Sequence, residues 1–298
     1  MADRPRFGPA GKPVGFKGKA VGVPRYLREE GLDAFEFQAV RWGVRPGMRA
    51  EDAEELGREA RKYDVLLSMH ASYYVNLCAD GQKLEDSIRR LLICLEYGRL
   101  MGAYIVVFHP GFYKGKPKER ALEDCIRALK RVADEASTLG RGLPALGPET
   151  TGKPSQLGSL EEIISICEAV ESCQPVVDWA HIHARDGRGA IRGRADYEAI
   201  LDELERRLGS DVVMNLHTHF TRVEFSAKGE VKHHTMAEEA YGPDFGPLAE
   251  LIAELGLRPV IISESPILDR DSLVMKKMVE DAYRRLGKEV PWASRASE

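Results

Sequence analysis

Eight short apolar runs punctuate this chain, and a longer amphipathic stretch follows each one. The runs fall near 6–10, 34–39, 64–70, 104–109, 144–149, 175–181, 212–219 and 259–264, and their composition predicts strands. The stretches near 22–31, 50–63, 82–101, 118–139, 160–171, 196–208, 245–255 and 271–286 predict helices. Ser159 and Glu162 form a capping-box pattern, and Asp271 precedes another helical run. Gly102, Gly140, Gly209 and Gly256 stand where helices should stop. Runs such as YIVVF and PVIIS are apolar on both faces, as in a parallel sheet covered by helices. Eight β–α units in a chain of 298 residues match an α/β (β/α)8 TIM barrel in number and length. A doubly wound open sheet is the competitor, but no G-x-G-x-x-G or P-loop follows any strand, so no nucleotide cofactor is expected. With no linker in sight, residues 1–298 are expected to form one barrel domain, with an irregular tail from about 288.

No apolar run approaches the ~18 residues of a membrane span, and the start, MADRPRFGPAGKP, lacks the apolar core of a secretory signal. The five cysteines are odd in number and form no C-x-x-C, which fits a reduced, cytoplasmic protein. The net charge of −4 argues weakly against nucleic acid, but its distribution matters more. Residues 1–28 carry Arg4, Arg6, Lys12, Lys17, Lys19, Arg25 and Arg28 against Asp3 alone. Two later loops are basic as well: Lys114, Lys116, Lys118 and Arg120, then Arg185, Arg188, Arg192 and Arg194.

All eight histidines lie at or just after predicted strand ends: His70, His109, His181, His183, His217, His219, His233 and His234. Glu149, Asp178 and Glu264 occupy corresponding places. In a parallel barrel these ends share one face, where active sites are built. The stretch PVVDWAHIH, 175–183, reads as a strand delivering Asp178 and His181 together. Mixed imidazole and carboxylate donors favour zinc, with manganese or iron as alternatives. Their number exceeds one tetrahedral site.

These segments resemble the endonuclease IV family of metal-dependent apurinic/apyrimidinic endonucleases. The resemblance rests on HASYYVNL from His70, FHPG with His109, ETTGKPSQLG from Glu149, VDWAH with Asp178 and His181, then His217, His233 and the ESP of Glu264. It implies a TIM barrel with two or three zinc ions. His70 and His109 would bind the first and Glu149 would bridge the first and second as the catalytic carboxylate. Asp178, His217 and Glu264 would complete the second, and His181 and His233 would belong to the third. The chain departs from the pattern in two places. Val231 stands where the family has a third-site aspartate, so Glu230, the nearest acid, would take its place if the loop shifts, and His219 would be either an extra ligand or a rival for His217. The implied reaction is hydrolysis of the phosphodiester 5′ to an abasic site in damaged double-stranded DNA, giving a 3′-hydroxyl and a 5′-deoxyribose phosphate. A monomer is expected, with no membrane partner. Tyr73, Arg41, Trp42, Lys114, Lys116, Arg185 and Arg188 are the candidate DNA contacts. The alternative is a single-metal (Mn or Mg) sugar isomerase or epimerase of the xylose isomerase-like superfamily, using Glu149, Asp178, His217 and Glu264.

Overall fold

The computed structural model describes residues 2–292. Eight parallel strands close into a barrel: β1 (Arg6–Pro9), β2 (Ala34–Gln38), β3 (Leu66–His70), β4 (Ile105–Phe108), β5 (Ala145–Pro148), β6 (Val176–Asp178), β7 (His217–Phe220) and β8 (Val260–Ser263). β2 to β5 pair in sequence, and β6, β7, β8 and β1 do the same. Single parallel bridges at Ala10–Glu36 and Glu149–Val176 join the two halves. Around the strands lie α1 (Val23–Glu30), α2 (Ala50–Lys62), α3 (Gln82–Met101), α4 (Lys118–Ala136), α5 (Leu160–Ala169), α6 (Trp179–Arg185), α7 (Arg194–Leu208), α8 (Ser210–Met214), α9 (Gly246–Leu255) and α10 (Asp269–Arg285).

The two-residue alternation of the strands sorts side chains between two regions. Phe35, Leu67, Met69, Val106, Phe108, Leu146, Val177 and Ile261 join the apolar faces of the helices in one continuous cluster. Inside the barrel, Ala34, Leu66, Val260 and Ile262 form one small group, and Ile105, Val107 and Val176 another. The interior is tight at this level. A Cβ on Gly8 would lie 1.7 Å from the Ala34 carbonyl oxygen, so only glycine fits there. Nearer the C-terminal ends the inward positions turn polar. Glu36, Ser68, His70, Glu149, Asp178, His217 and His219 are all buried.

At the other end, Arg4 reaches Asp33 at 2.9 Å and Asp64 at 2.8 Å, and Arg6 reaches Asp64 at 2.9 Å. Part of the basic N-terminal run therefore clamps the barrel rather than facing a partner. Residues 289–292 are irregular, yet Trp292 packs edge-on against Phe7 with ring centroids 5.8 Å apart. Residues 293–298 of that tail lie outside the described residues.

Three element boundaries differ from the sequence reading. The strand expected over 175–181 stops at Asp178, because its carboxylate accepts the His181 backbone N–H at 2.7 Å and starts α6. His181 and His183 are therefore helical. The apolar residues Val212 to Met214 belong to α8, and β7 begins only at His217. Asp271 lies inside α10 and accepts from the Met236 backbone, so it does not cap the helix.

Burial pushes the Cys78, Cys94 and Cys173 thiols up to about 12, and Cys125 and Cys167 well above the usual range. All five are unpaired. Native protein at pH 8 should therefore react only slowly with a disulfide reagent such as Ellman's, and denaturant should release five equivalents. Two or more fast native thiols would contradict this packing.

Candidate metal centre

The site is built at the C-terminal ends of six strands. His70 closes β3, His109 follows β4, Glu149 follows β5 and Asp178 closes β6. His181 lies in the first turn of α6, His219 is on β7 and Glu264 follows β8. Glu230 and His233 come from an antiparallel hairpin, Arg222–Ser226 with Gly229–His234, which carries an irregularity between Glu224 and Phe225.

Of the five donor groups among the described residues, three divide the site between them. In the first, His70 Nε2 and His109 Nε2 lie 3.3 Å and 3.2 Å from Glu149 Oε2. The second joins Asp178, His219 and Glu264, with His219 Nδ1 3.4 Å from Glu264 Oε1 and 3.1 Å from Glu149 Oε1. In the third, Glu230 stands between His181 Nε2 and His233 Nε2, 3.1 Å from each. Within every group the donor atoms lie within 4.8 Å of one another. Glu149 thus turns one oxygen to the first group and the other to the second.

Burial opposes ionisation of Glu149, but the imidazoles of His219 and His109 hold it well below the usual carboxylate range. Asp178 is pushed up by burial, with Glu264 and Glu149 adding like charge. Its Oδ2 is buried without a hydrogen-bond partner, and His233 Nε2 is likewise not aligned for a hydrogen bond. An unmatched buried ionised group costs ~1–3 kcal/mol or more. A cation held by these atoms would remove that cost. The donors are nitrogen and oxygen without sulfur, a set that suits zinc, manganese or iron. The imidazoles are oriented for the task. Nδ1 of His70, His181 and His233 faces the carbonyl oxygens of Ala71, Thr150 and Glu264 at 2.8, 2.8 and 3.0 Å. Donation there leaves each Nε2 lone pair aimed into the site.

The structure thus brings together His70, His109, Glu149, Asp178, His181, His233 and Glu264 with the two further candidates, Glu230 and His219. His217 does not join them, which corrects the sequence expectation. Register is the reason. His219 pairs with Asp178 and Ile262, whereas His217 pairs with Val176 and Val260, two residues or ~6.6 Å deeper. Val231 points to solvent and Glu230 takes the acidic role beside His233. His183 lies apart, with Nδ1 accepting from the Ile191 backbone at 3.2 Å.

The candidate DNA contacts divide. Tyr73 is 54% exposed, and its ring lies over His109 with centroids 5.9 Å apart. Arg41, Lys114 and Arg188 are exposed. Trp42 is buried between Phe37 and Tyr97, which removes it from the surface. Arg185 is buried too. It donates to the carbonyls of Thr151, Lys153 and Gln156, bracing the loop after β5. Lys116 is paired with Asp80 and Asp124, each at 2.9 Å. Sequence reasoning missed Lys153 and Gln156, which line a cavity of about 260 Å³ beside His70, Tyr73, His109, Glu230 and His233. It also missed Glu36, whose only signal is a lone acid in the apolar run AFEF.

The profile of the xylose isomerase-like TIM barrel family matches residues 24–284. The chain belongs to that family. An uncharacterized protein of Methanocaldococcus jannaschii is 30% identical over 274 residues, covering 91% of this chain and 95% of the relative. Endonuclease 4 of Thermus thermophilus is 33% identical over 218 residues, covering 72% of this chain and 75% of that enzyme. The crystal structure of an endonuclease IV from Thermus thermophilus superposes with a TM-score of 0.68 at 26% identity, covering 93% of this chain and all of that one. The resemblance to endonuclease IV read from the motifs is borne out by these relatives of the family.

If the third group holds a cation, Glu230→Ala should lower the number of bound zinc ions by one, counted by plasma emission after loading and desalting. An unchanged count would remove Glu230 from the site.

Proposed function

We propose that this protein is a metal-dependent endonuclease of DNA repair that hydrolyses the phosphodiester 5′ to an abasic site. The observation that carries this reading is the third group, His181, Glu230 and His233, set beside two groups that share Glu149. A phosphodiester has an attacked phosphorus and a leaving oxygen, and a row of three cations can serve both. Zinc is the metal proposed, held by His70, His109 and Glu149, by Glu149, Asp178, His219 and Glu264, and by His181, Glu230 and His233. Bound there, it would supply Lewis-acid polarisation of the phosphodiester and activation of water.

The chain's own residues do the rest. Glu149 is kept ionised by its imidazole neighbours, so both oxygens remain available as donors. Tyr73 stands exposed at the rim, where an aromatic ring can enter the gap left by a missing base. Unstacking costs least at such a damaged position. Lys153, Lys114, Arg41 and Arg188 present cations to phosphates, which position the duplex without reading sequence. The subset Glu149, Asp178, His219 and Glu264 would also serve a single-cation sugar isomerase or epimerase. That chemistry leaves His70, His109, His181, Glu230 and His233 without a task.

Two results are expected. Glu149→Gln should lower nicking of a duplex with one abasic site by at least about 100-fold, with the far-ultraviolet circular dichroism retained. Nicking at the wild-type rate would end the bridging role. Lys153→Ala should weaken duplex binding and reduce the slope of log K against log salt by about 1. An unaltered slope would remove Lys153 from the phosphate path.

A further inference from the structure

Below the second group lies a buried carboxylate that no task above uses. Glu36 is fully enclosed on β2, and four side chains converge on it. Its Oε2 accepts from Ser68 Oγ at 3.0 Å and from His217 Nε2 at 3.1 Å. Its Oε1 accepts from Gln38 Nε2 at 3.1 Å and faces His219 Nε2 at 3.1 Å. Beyond His217, the Tyr104 hydroxyl meets Nδ1 of the same ring.

Proton counting makes the arrangement directional. Read as donation from the Tyr104 hydroxyl to His217 Nδ1, the contact puts the ring proton of His217 on Nε2, pointing at Glu36. An ionised carboxylate can only accept. With a cation in the second group taking the Nδ1 lone pair, His219 carries its remaining proton on Nε2, toward Glu36, and turns Nδ1 toward Glu149 and Glu264. Three other ligand histidines, His70, His181 and His233, present Nε2 and anchor Nδ1 on backbone carbonyls. His219 is inverted: its outer nitrogen meets a carboxylate instead of a backbone carbonyl. A side chain from β2 does that work.

We propose that Glu36 is a positioning residue for the second cation: it takes the Nε2 proton of His219, fixes the Nδ1-ligating tautomer, and is itself held by His217 and Tyr104. The pair Glu36–His217 explains why β7 carries two inward histidines, one facing the cation and one facing Glu36. The proposal rests on the functional reading only in that a cation occupies the second group. It does not require that DNA be cut. The competing assignment, a fourth cation among Glu36, His217 and His219, would need the Nε2 lone pairs that these hydrogen bonds consume.

The test is zinc titration of the purified full chain, wild type against Glu36→Gln, with a chromophoric chelator as competitor. Loss of such a support costs about 10–100-fold in metal affinity, so Glu36→Gln should weaken one ion by that factor and leave the His70–His109 ion unchanged. Nitrogen-15 spectra of the zinc-loaded wild type should show the His219 proton on Nε2. Should Glu36→Gln fail to fold, Tyr104→Phe loosens the same network and should weaken the same ion by less than about 10-fold. Uniform weakening of all ions, no weakening of any, a His219 proton on Nδ1, or a fourth bound ion would each overturn the proposal. Wild-type protein binding no zinc would overturn it together with the functional reading. Tight site-specific binding without nicking would sink the endonuclease alone.

Discussion

Glu149, Asp178, Glu230, Glu264 and, one layer down, Glu36 crowd the C-terminal half of one barrel. Such a concentration of carboxylates is stable only against matching positive charge and donated hydrogen bonds. Glu36 has its full set of donors, and imidazoles face Glu149 and Glu230 on both oxygens. Asp178 is the exception, with one buried oxygen unmatched. The arrangement makes sense as a receptor for cations and is costly as anything else. Everything around it, from the anchored imidazoles to the braced loop after β5, keeps those donors from relaxing away.

The barrel supplies this concentration through register. Alternate residues of every strand point inward, and the filling changes from apolar to polar about halfway along. Ala34, Leu66 and Val260 close the lower interior, then Glu36, Ser68 and His217 form a polar floor. The donors of the centre stand above that floor. Two residues along β7 separate His219, a donor of the second group, from His217, which meets Glu36 beneath it. That difference is why two histidines of identical chemistry on one strand have different partners.

The eight-unit rhythm and the acids and imidazoles at strand ends were legible in the sequence, because both follow from local pattern. His70, His109, Glu149, Asp178, His181, His233 and Glu264 converge for that reason. His217 was misplaced because spacing says which face a side chain takes, while only pairing with β6 and β8 says how deep it lies. Trp42 and Arg185 looked like surface groups because type and loop position do not reveal burial. Arg185 bonds to carbonyls of the loop after β5, far away in sequence. The α6 boundary was hidden because Asp178 serves two ends at once, as the last residue of a strand and the cap of the next helix. Glu230 was legible as the nearest acid to Val231, while the irregularity in the hairpin that turns it inward is announced by no periodicity.

The central claim is that the centre is trinuclear, and position tests it better than stoichiometry. Crystals grown with zinc and measured on both sides of the zinc absorption edge would locate each ion directly. The account predicts three anomalous peaks: one among His70, His109 and Glu149, one among Glu149, Asp178, His219 and Glu264, and one among His181, Glu230 and His233. A single peak at Asp178, His219 and Glu264, with the other two groups empty at saturating zinc, would contradict it.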